Sequence, residues 1–218
     1  MKFAYDAAHL MGAVVLLLGF QMLYQRRFKA VLRSFAIQSI ALAVAATWQA
    51  YFQNAPHLYV TAGIALIFKG IIVPIAMNWL VVKLGIHRSV ETALGIGPTM
   101  VIGVALVALS ILLVLPVTSD STALTRENLA LAMSVVLLGF LMMITRHNAV
   151  LQVVGFMVLE NGLILAAVGV KGMPLVVEMS VAFSVLVAMI LFGIFFFRIR
   201  ERFDSLDLRY LETFRGER

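Results

Sequence analysis

The sequence predicts an all-α integral membrane protein, with about seven transmembrane helices arranged as two parallel three-helix repeats joined by a linking helix. Its 218 residues are 62% hydrophobic and only 13% charged, whereas soluble domains are roughly half apolar and about one quarter charged. The apolar residues form segments long enough to cross a bilayer. Two of these segments repeat a common sequence pattern.

Seven segments reach the length of about 20 mainly apolar residues that a membrane span requires. They cover residues 5–24, 35–53, 59–82, 95–117, 128–145, 149–170 and 174–197. None alternates as a membrane β-barrel strand does, and a helical bundle is then the architecture that satisfies the backbone in lipid. We expect the first segment to be a retained span, because no basic n-region or small-residue cleavage site marks a signal peptide.

Basic residues predict the orientation, because cytoplasmic loops are enriched in Lys and Arg. One side of the predicted topology carries Lys2, Arg126 and Lys171. The other side carries thirteen: Arg26, Arg27, Lys29, Arg33, Lys83, Arg88, Arg146, Arg198, Arg200, Arg202, Arg209, Arg215 and Arg218. We therefore expect the N-terminus outside and the C-terminus in the cytoplasm. Topology accounts for the net charge of +6, so no nucleic-acid partner is expected.

An internal repeat predicts the domain organisation. The stretch "AVVLLLGFQMLYQRRFKAVLRSFAI" from Ala13 resembles "MSVVLLGFLMMITRHNAVLQVVGFM" from Met133. The copies lie four spans apart and therefore face the same way, as in the parallel repeats of some transporters. We predict a first unit at 1–90, a linking segment at 91–125, a second unit at 126–198 and a cytoplasmic tail at 199–218.

Two opposite charges fall near the middle of predicted spans. Lys69 lies midway along the third and Glu160 midway along the sixth. Ionisable residues at this depth cost about 2.5–3.5 kcal/mol each, and they usually pair or line a water-filled path. Two interpretations remain open: a relay that exchanges protons, and a static pair that fixes helix packing.

Other polar residues extend this hypothesis. Pro74 should loosen the helix near Lys69, because proline removes a backbone hydrogen bond. Asn161 and Gln38 are expected to bridge helices. The remaining candidates are His147 for cytoplasmic proton access, Glu178 for the outer port and Ser184 as a hydrogen-bond carrier deeper on the last span.

Composition limits the cofactors. The chain has no cysteine, which excludes thiolate-held iron–sulfur or zinc centres. Its four histidines are scattered and form no HxxxH or HExxH pair. We expect no metal or cofactor in this chain and no catalysis by the chain alone.

Several segments resemble component E of hydrogenase-4-type membrane complexes, relatives of formate hydrogenlyase. They are "AIQSIAL", "FKGIIVP", "RHNAVLQVVGFMVLENG", "PLVVEMSV" and "FDSLDLRYLETFRG". The last three spans also resemble the small K-type subunit of complex I and the C subunit of Mrp-type antiporters. That K-type pattern has a glutamate where this chain has Met157, one turn before Glu160, and the family often has an acidic residue at the position of Ser184.

The resemblance implies a non-catalytic membrane-arm subunit in a prokaryotic plasma membrane. Expected partners are antiporter-like membrane subunits and a cytoplasmic redox module that holds the nickel–iron and iron–sulfur centres. Buried charges would contribute to proton or sodium translocation. Two alternatives stay open: a purely structural membrane anchor, and a small stand-alone carrier.

Overall fold

The computed structural model describes residues 2–84, 94–118 and 123–169, together with the single residues 186, 189 and 193. The described part is helical and contains no β-strand. Its elements are α1 (Lys2–Tyr24), α2 (Phe28–Gln53), α3 (His57–Ile64), a π-helical segment (Ala65–Ile72), α4 (Val73–Leu84), α5 (Ile96–Val117), α6 (Ala123–Thr145) and α7 (Ala149–Gly169).

Six helices of the described part are long and apolar enough to cross a membrane. The third of them runs continuously through α3, the π-helical segment and α4. The all-helical membrane fold that the sequence predicts is confirmed. A seventh span at 174–197 lies almost entirely outside the described residues and stays a prediction, as does the orientation of the termini.

The two largest differences between the predicted and observed helix starts lie in the second and fifth spans. The second span was expected from residue 35 but α2 begins at Phe28, and the fifth was expected from 128 but α6 begins at Ala123. The length of the apolar stretch underestimates the length of these two helices, because their first turns carry polar side chains. Lys29 and Arg33, for example, are exposed on the early turns of α2.

Two helical hairpins form the centre of the bundle. Helix α1 packs on α2 and α6 on α7, while α1 also contacts α6 and α2 contacts α7. The hairpins run in the same direction, because the Gln53 side chain at the end of α2 reaches the Val168 carbonyl at the end of α7 (3.0 Å). The span from α3 to α4 packs on α2, and α5 packs on α6 and α1.

The two hairpin turns share one backbone pattern. The Gln25 amide bonds the Gln21 carbonyl and the Arg146 amide bonds the Met142 carbonyl, both at 3.2 Å. Each turn has three residues, 25–27 and 146–148. Gln25 and Arg146 lie 121 residues apart, close to the spacing of the sequence repeat. The predicted division into two three-helix units needs the last span as well, so it stays a prediction.

Glycines bring α6 and α7 into close contact. A Cβ atom on Gly139 would lie 2.5 Å from the Leu159 amide nitrogen, and one on Gly162 would lie 2.7 Å from the Val136 nitrogen. Small residues of this kind let membrane helices approach until their backbones touch. This packing fixes the position of the central turns of α7, which carry Glu160 and Asn161.

Candidate functional site: a buried lysine–glutamate pair

Lys69 lies in the widened π-helical segment of the third span. At the end of this segment the Val73 amide bonds the Phe68 carbonyl, five residues earlier, instead of the α-helical partner four residues earlier. Pro74 follows directly and has no N–H, so it cannot give the Gly70 carbonyl its α-helical hydrogen bond. The sequence predicted that the helix is loosened near Lys69, and the structure has a π-helical segment at this position.

Lys69 and Glu160 form an ion pair inside the bundle. The Lys69 Nζ lies 3.2 Å from the Glu160 Oε2, and the two side chains are only 5% and 3% exposed. Glu160 follows the start of α7 by eleven residues, about 16 Å at the usual helical rise, and is therefore near the middle of its helix. The sequence placed both residues near the middle of their spans, and in the structure the two side chains are in direct contact.

An amide network surrounds this pair. The Lys69 ammonium also donates to the Asn161 Oδ1 (3.3 Å). The Asn161 Nδ2 in turn donates to the Gln38 Oε1 (3.1 Å) and lies 3.4 Å from the Ser39 Oγ. Both Asn161 and Gln38 are fully buried. The site therefore joins the π-helical segment to α2 and α7 through side chains that are all buried in the bundle.

Gln38 extends the network to a fourth helical element, α1. Its Nε2 donates to the Val15 carbonyl on α1 at 2.9 Å. A carbonyl that already accepts a backbone hydrogen bond within α1 can accept this second hydrogen bond, because each carbonyl oxygen has two lone pairs. The sequence prediction that Gln38 and Asn161 bridge helices agrees with these contacts.

The Glu160 carboxylate retains unused hydrogen-bonding capacity. Its Oε2 lies 3.2 Å from the Lys69 Nζ, and no other donor in the described part of the chain bonds it. Buried acceptors in native proteins are nearly always bonded. An acceptor of this kind can receive a proton or a water molecule, which is a chemical requirement of a relay residue.

The predicted access residue His147 lies apart from the buried pair, and its role stays a prediction. It is exposed on the turn between α6 and α7. On the buried face of α7 between it and Glu160 lie Val154 and Met157, both fully buried. These apolar side chains separate the two residues, and the described residues show no polar contact between them. Glu178 and Ser184 lie outside the described residues, and their proposed roles remain predictions.

Arg146 is the buried residue that sequence reasoning missed. It was grouped with the basic residues facing the cytoplasm, yet it is only 2% exposed. One terminal nitrogen donates to three backbone carbonyls at the end of α1: Met22 (2.8 Å), Leu23 (2.9 Å) and Gln25 (3.2 Å). No sequence signal distinguishes a basic residue that caps a helix of another hairpin, as Arg146 caps α1, from a basic residue that is exposed in a turn.

A histidine–carboxylate contact lies at the opposite end of the bundle. The His9 Nε2 on α1 and the Glu127 Oε2 on α6 are 2.7 Å apart, with side chains 28% and 56% exposed. The sequence analysis did not connect these residues. No cluster of three or more metal-ligating side chains occurs among residues that the structure describes. This pair is therefore a rim contact between α1 and α6.

Comparison with known proteins gives distant relatives of similar length. The chain is 27% identical over 198 residues to an uncharacterized protein of Mycobacterium tuberculosis, covering 88% of each chain. It is 27% identical over 187 residues to hydrogenase-4 component E of Escherichia coli K12, covering 84% of this chain and 85% of that one, with the same values for Shigella flexneri. No family model and no solved structure matches the chain. The component E resemblance is thus confirmed at a distance: this chain is a multi-pass membrane protein distantly related to hydrogenase-4 component E.

Proposed function

We propose that the chain is a membrane subunit of a hydrogenase-4-like energy-converting complex, and that its Lys69–Glu160 pair takes part in moving protons or sodium ions across a prokaryotic plasma membrane. The observation that carries the ionic role is this pair, held in the middle of the bundle beside a π-helical segment. π-Helical turns occur frequently at functional sites, and ionisable residues within membrane spans commonly mark ion paths.

The chemistry of the pair suits a relay. A proton transferred from the Lys69 ammonium to the Glu160 carboxylate would leave two neutral groups, and the reverse transfer would restore the ion pair. Asn161 accepts from the same ammonium, so its amide oxygen can hold the lysine nitrogen in place in either state. The net charge of the pair is unchanged by internal transfer. Uptake of an external proton by one group and release by the other would move charge.

Membership of a complex is tested by co-purification. The affinity-tagged chain is extracted in mild detergent, and the proteins that accompany it are identified by mass spectrometry. We expect antiporter-like membrane subunits and a hydrogenase-type redox module, in which the nickel–iron and iron–sulfur centres would reside. Recovery of the chain alone, or only with further copies of itself, would contradict the proposal and favour a stand-alone carrier.

The ionic role is tested within the assembled complex by comparing two substitutions. Glu160→Gln removes the buried carboxylate, whereas Glu127→Gln removes an exposed one and serves as the matched control. We expect Glu160→Gln to abolish the ion gradient formed during hydrogen turnover in sealed vesicles, while Glu127→Gln keeps it. Equal gradients in the two variants would contradict an ionic role for Glu160.

A structural anchor is the second candidate function, and one observation favours it. The buried face of α7 between the exposed turn and Glu160 is apolar at Val154 and Met157, so among the described residues this face of α7 offers protons no polar side chain. As an anchor, the chain would use its buried pair only to fix helix packing. Substitutions that remove the pair without disturbing assembly would then leave ion coupling intact.

A further inference from the structure

The guanidinium of Arg146 carries a positive charge that no carboxylate offsets within the described residues. One of its three nitrogens bonds the carbonyls of α1, whereas its Nε and its other terminal nitrogen are buried and have no hydrogen-bond acceptor. Burial lowers the pKa of Arg146 from its ordinary value, but an arginine side chain stays protonated in proteins. Buried donors without acceptors are costly. An anion close to this group would therefore stabilise it.

Exposed cations surround this position. Arg26 and Arg27 lie in the α1–α2 turn, directly after the Gln25 carbonyl that accepts from Arg146. The Arg146 side chain donates to the Gln25 carbonyl at 3.2 Å, which places the two turns next to each other. The stretches 25–40 and 141–152 contain no acidic residue. The junction of the turns is thus a concentrated positive site.

We propose that the junction of the two hairpin turns, residues 25–27 and 146–148, binds the phosphate group of an anionic phospholipid. Arg26 and Arg27 would contact the phosphate oxygens, and Arg146 would supply positive charge beneath them. The spans of α1 and α6 end at Tyr24 and Thr145, so the junction lies at the depth of lipid headgroups. Arginine suits this ligand because its planar fork matches phosphate oxygens. The proposal does not depend on the ion-translocation role.

The proposal is tested with the purified full-length chain in detergent, with lipid binding measured by native mass spectrometry. Phosphatidylglycerol is compared with phosphatidylcholine, whose headgroup has no net charge. We expect selective binding of phosphatidylglycerol, and loss of about an order of magnitude in affinity when Arg26→Gln and Arg27→Gln are combined. Arg33→Gln is the matched control, because it removes an exposed charge in the second turn of α2, six residues beyond Arg27. It should lower the affinity by no more than about threefold.

Three results would overturn the proposal. Equal binding of the two lipids would remove the anion selectivity. An equal loss in the Arg33→Gln control would show a diffuse surface charge instead of a site. Inorganic phosphate alone could also protect the chain against thermal unfolding. Protection equal to that by phosphatidylglycerol would show a site for free anions instead of a lipid site.

Arg146→Gln should also weaken lipid binding. Because this substitution removes the contacts to α1 as well, the folding of the variant is checked by circular dichroism. The Arg26→Gln and Arg27→Gln double variant tests the proposal independently of Arg146.

Discussion

Neutralising Glu160 should destabilise the fold far more than neutralising a carboxylate at the rim. Glu160 is 3% exposed and lies 3.2 Å from the Lys69 ammonium. Glu160→Gln keeps the side-chain shape but leaves that buried ammonium without its counter-charge. Breaking a buried ion pair in this way costs roughly 3–5 kcal/mol. For Glu127→Gln, where the carboxylate is 56% exposed, a loss of about 0–1 kcal/mol is expected.

The assay is reversible unfolding of the purified chain in mixed micelles of mild detergent and sodium dodecyl sulfate, followed by circular dichroism. A third variant, Lys69→Met combined with Glu160→Gln, removes both charges and should recover most of the lost free energy of unfolding, because neutral replacement of a whole buried pair is often tolerated. Two results would refute this reasoning: equal losses for Glu160→Gln and Glu127→Gln, or a double variant that is no more stable than Glu160→Gln alone.

Two further predictions concern backbone geometry. Gly139→Ala should lower the free energy of unfolding by about 1–3 kcal/mol, because the new methyl group meets the backbone of α7. The control is Gly63→Ala, whose new methyl group has no heavy atom within 4 Å. This substitution should raise the free energy of unfolding by about 0.5–1 kcal/mol. The same micelle titration measures both, and equal effects would contradict the close helix contact. Pro74→Ala restores an N–H, so the amides of Ala65–Ile72 should exchange hydrogen more slowly as the segment returns to α-helical bonding. Unchanged exchange, followed by mass spectrometry, would show that Pro74 does not maintain the π-helical segment.

The length of the apolar segments and the charges within them were sufficient to predict the all-helical membrane fold and to single out Lys69 and Glu160. Lys69 and Glu160 stand out because a charge within an apolar span is rare and needs a partner, and their similar depth followed from counting residues. Asn161 and Gln38 followed from the same reasoning about polar side chains in lipid. The presence of a polar residue in a span, and its depth there, are properties of that span alone and can be read from the sequence.

Contacts between spans were harder to predict. The capping of α1 by Arg146 depends on how the two hairpin turns meet, and the His9–Glu127 pair depends on the packing of α1 against α6. Ser39 joins the network only because α2 faces Asn161 across the bundle. The access role of His147 stays a prediction, because the sequence shows its place in the turn but not which face of α7 lies beneath that turn. Side-chain direction between helices is a tertiary property that a single sequence does not determine.

The most direct test of the central claim uses the variant that carries both Lys69→Met and Glu160→Gln in the assembled complex. Sealed membrane vesicles report the number of ions moved for each hydrogen molecule turned over, and the amount of complex recovered reports assembly. The account predicts normal assembly with a ratio reduced to near zero. Normal assembly with the wild-type ratio would contradict it, and would make the lysine–glutamate pair a structural element of the bundle.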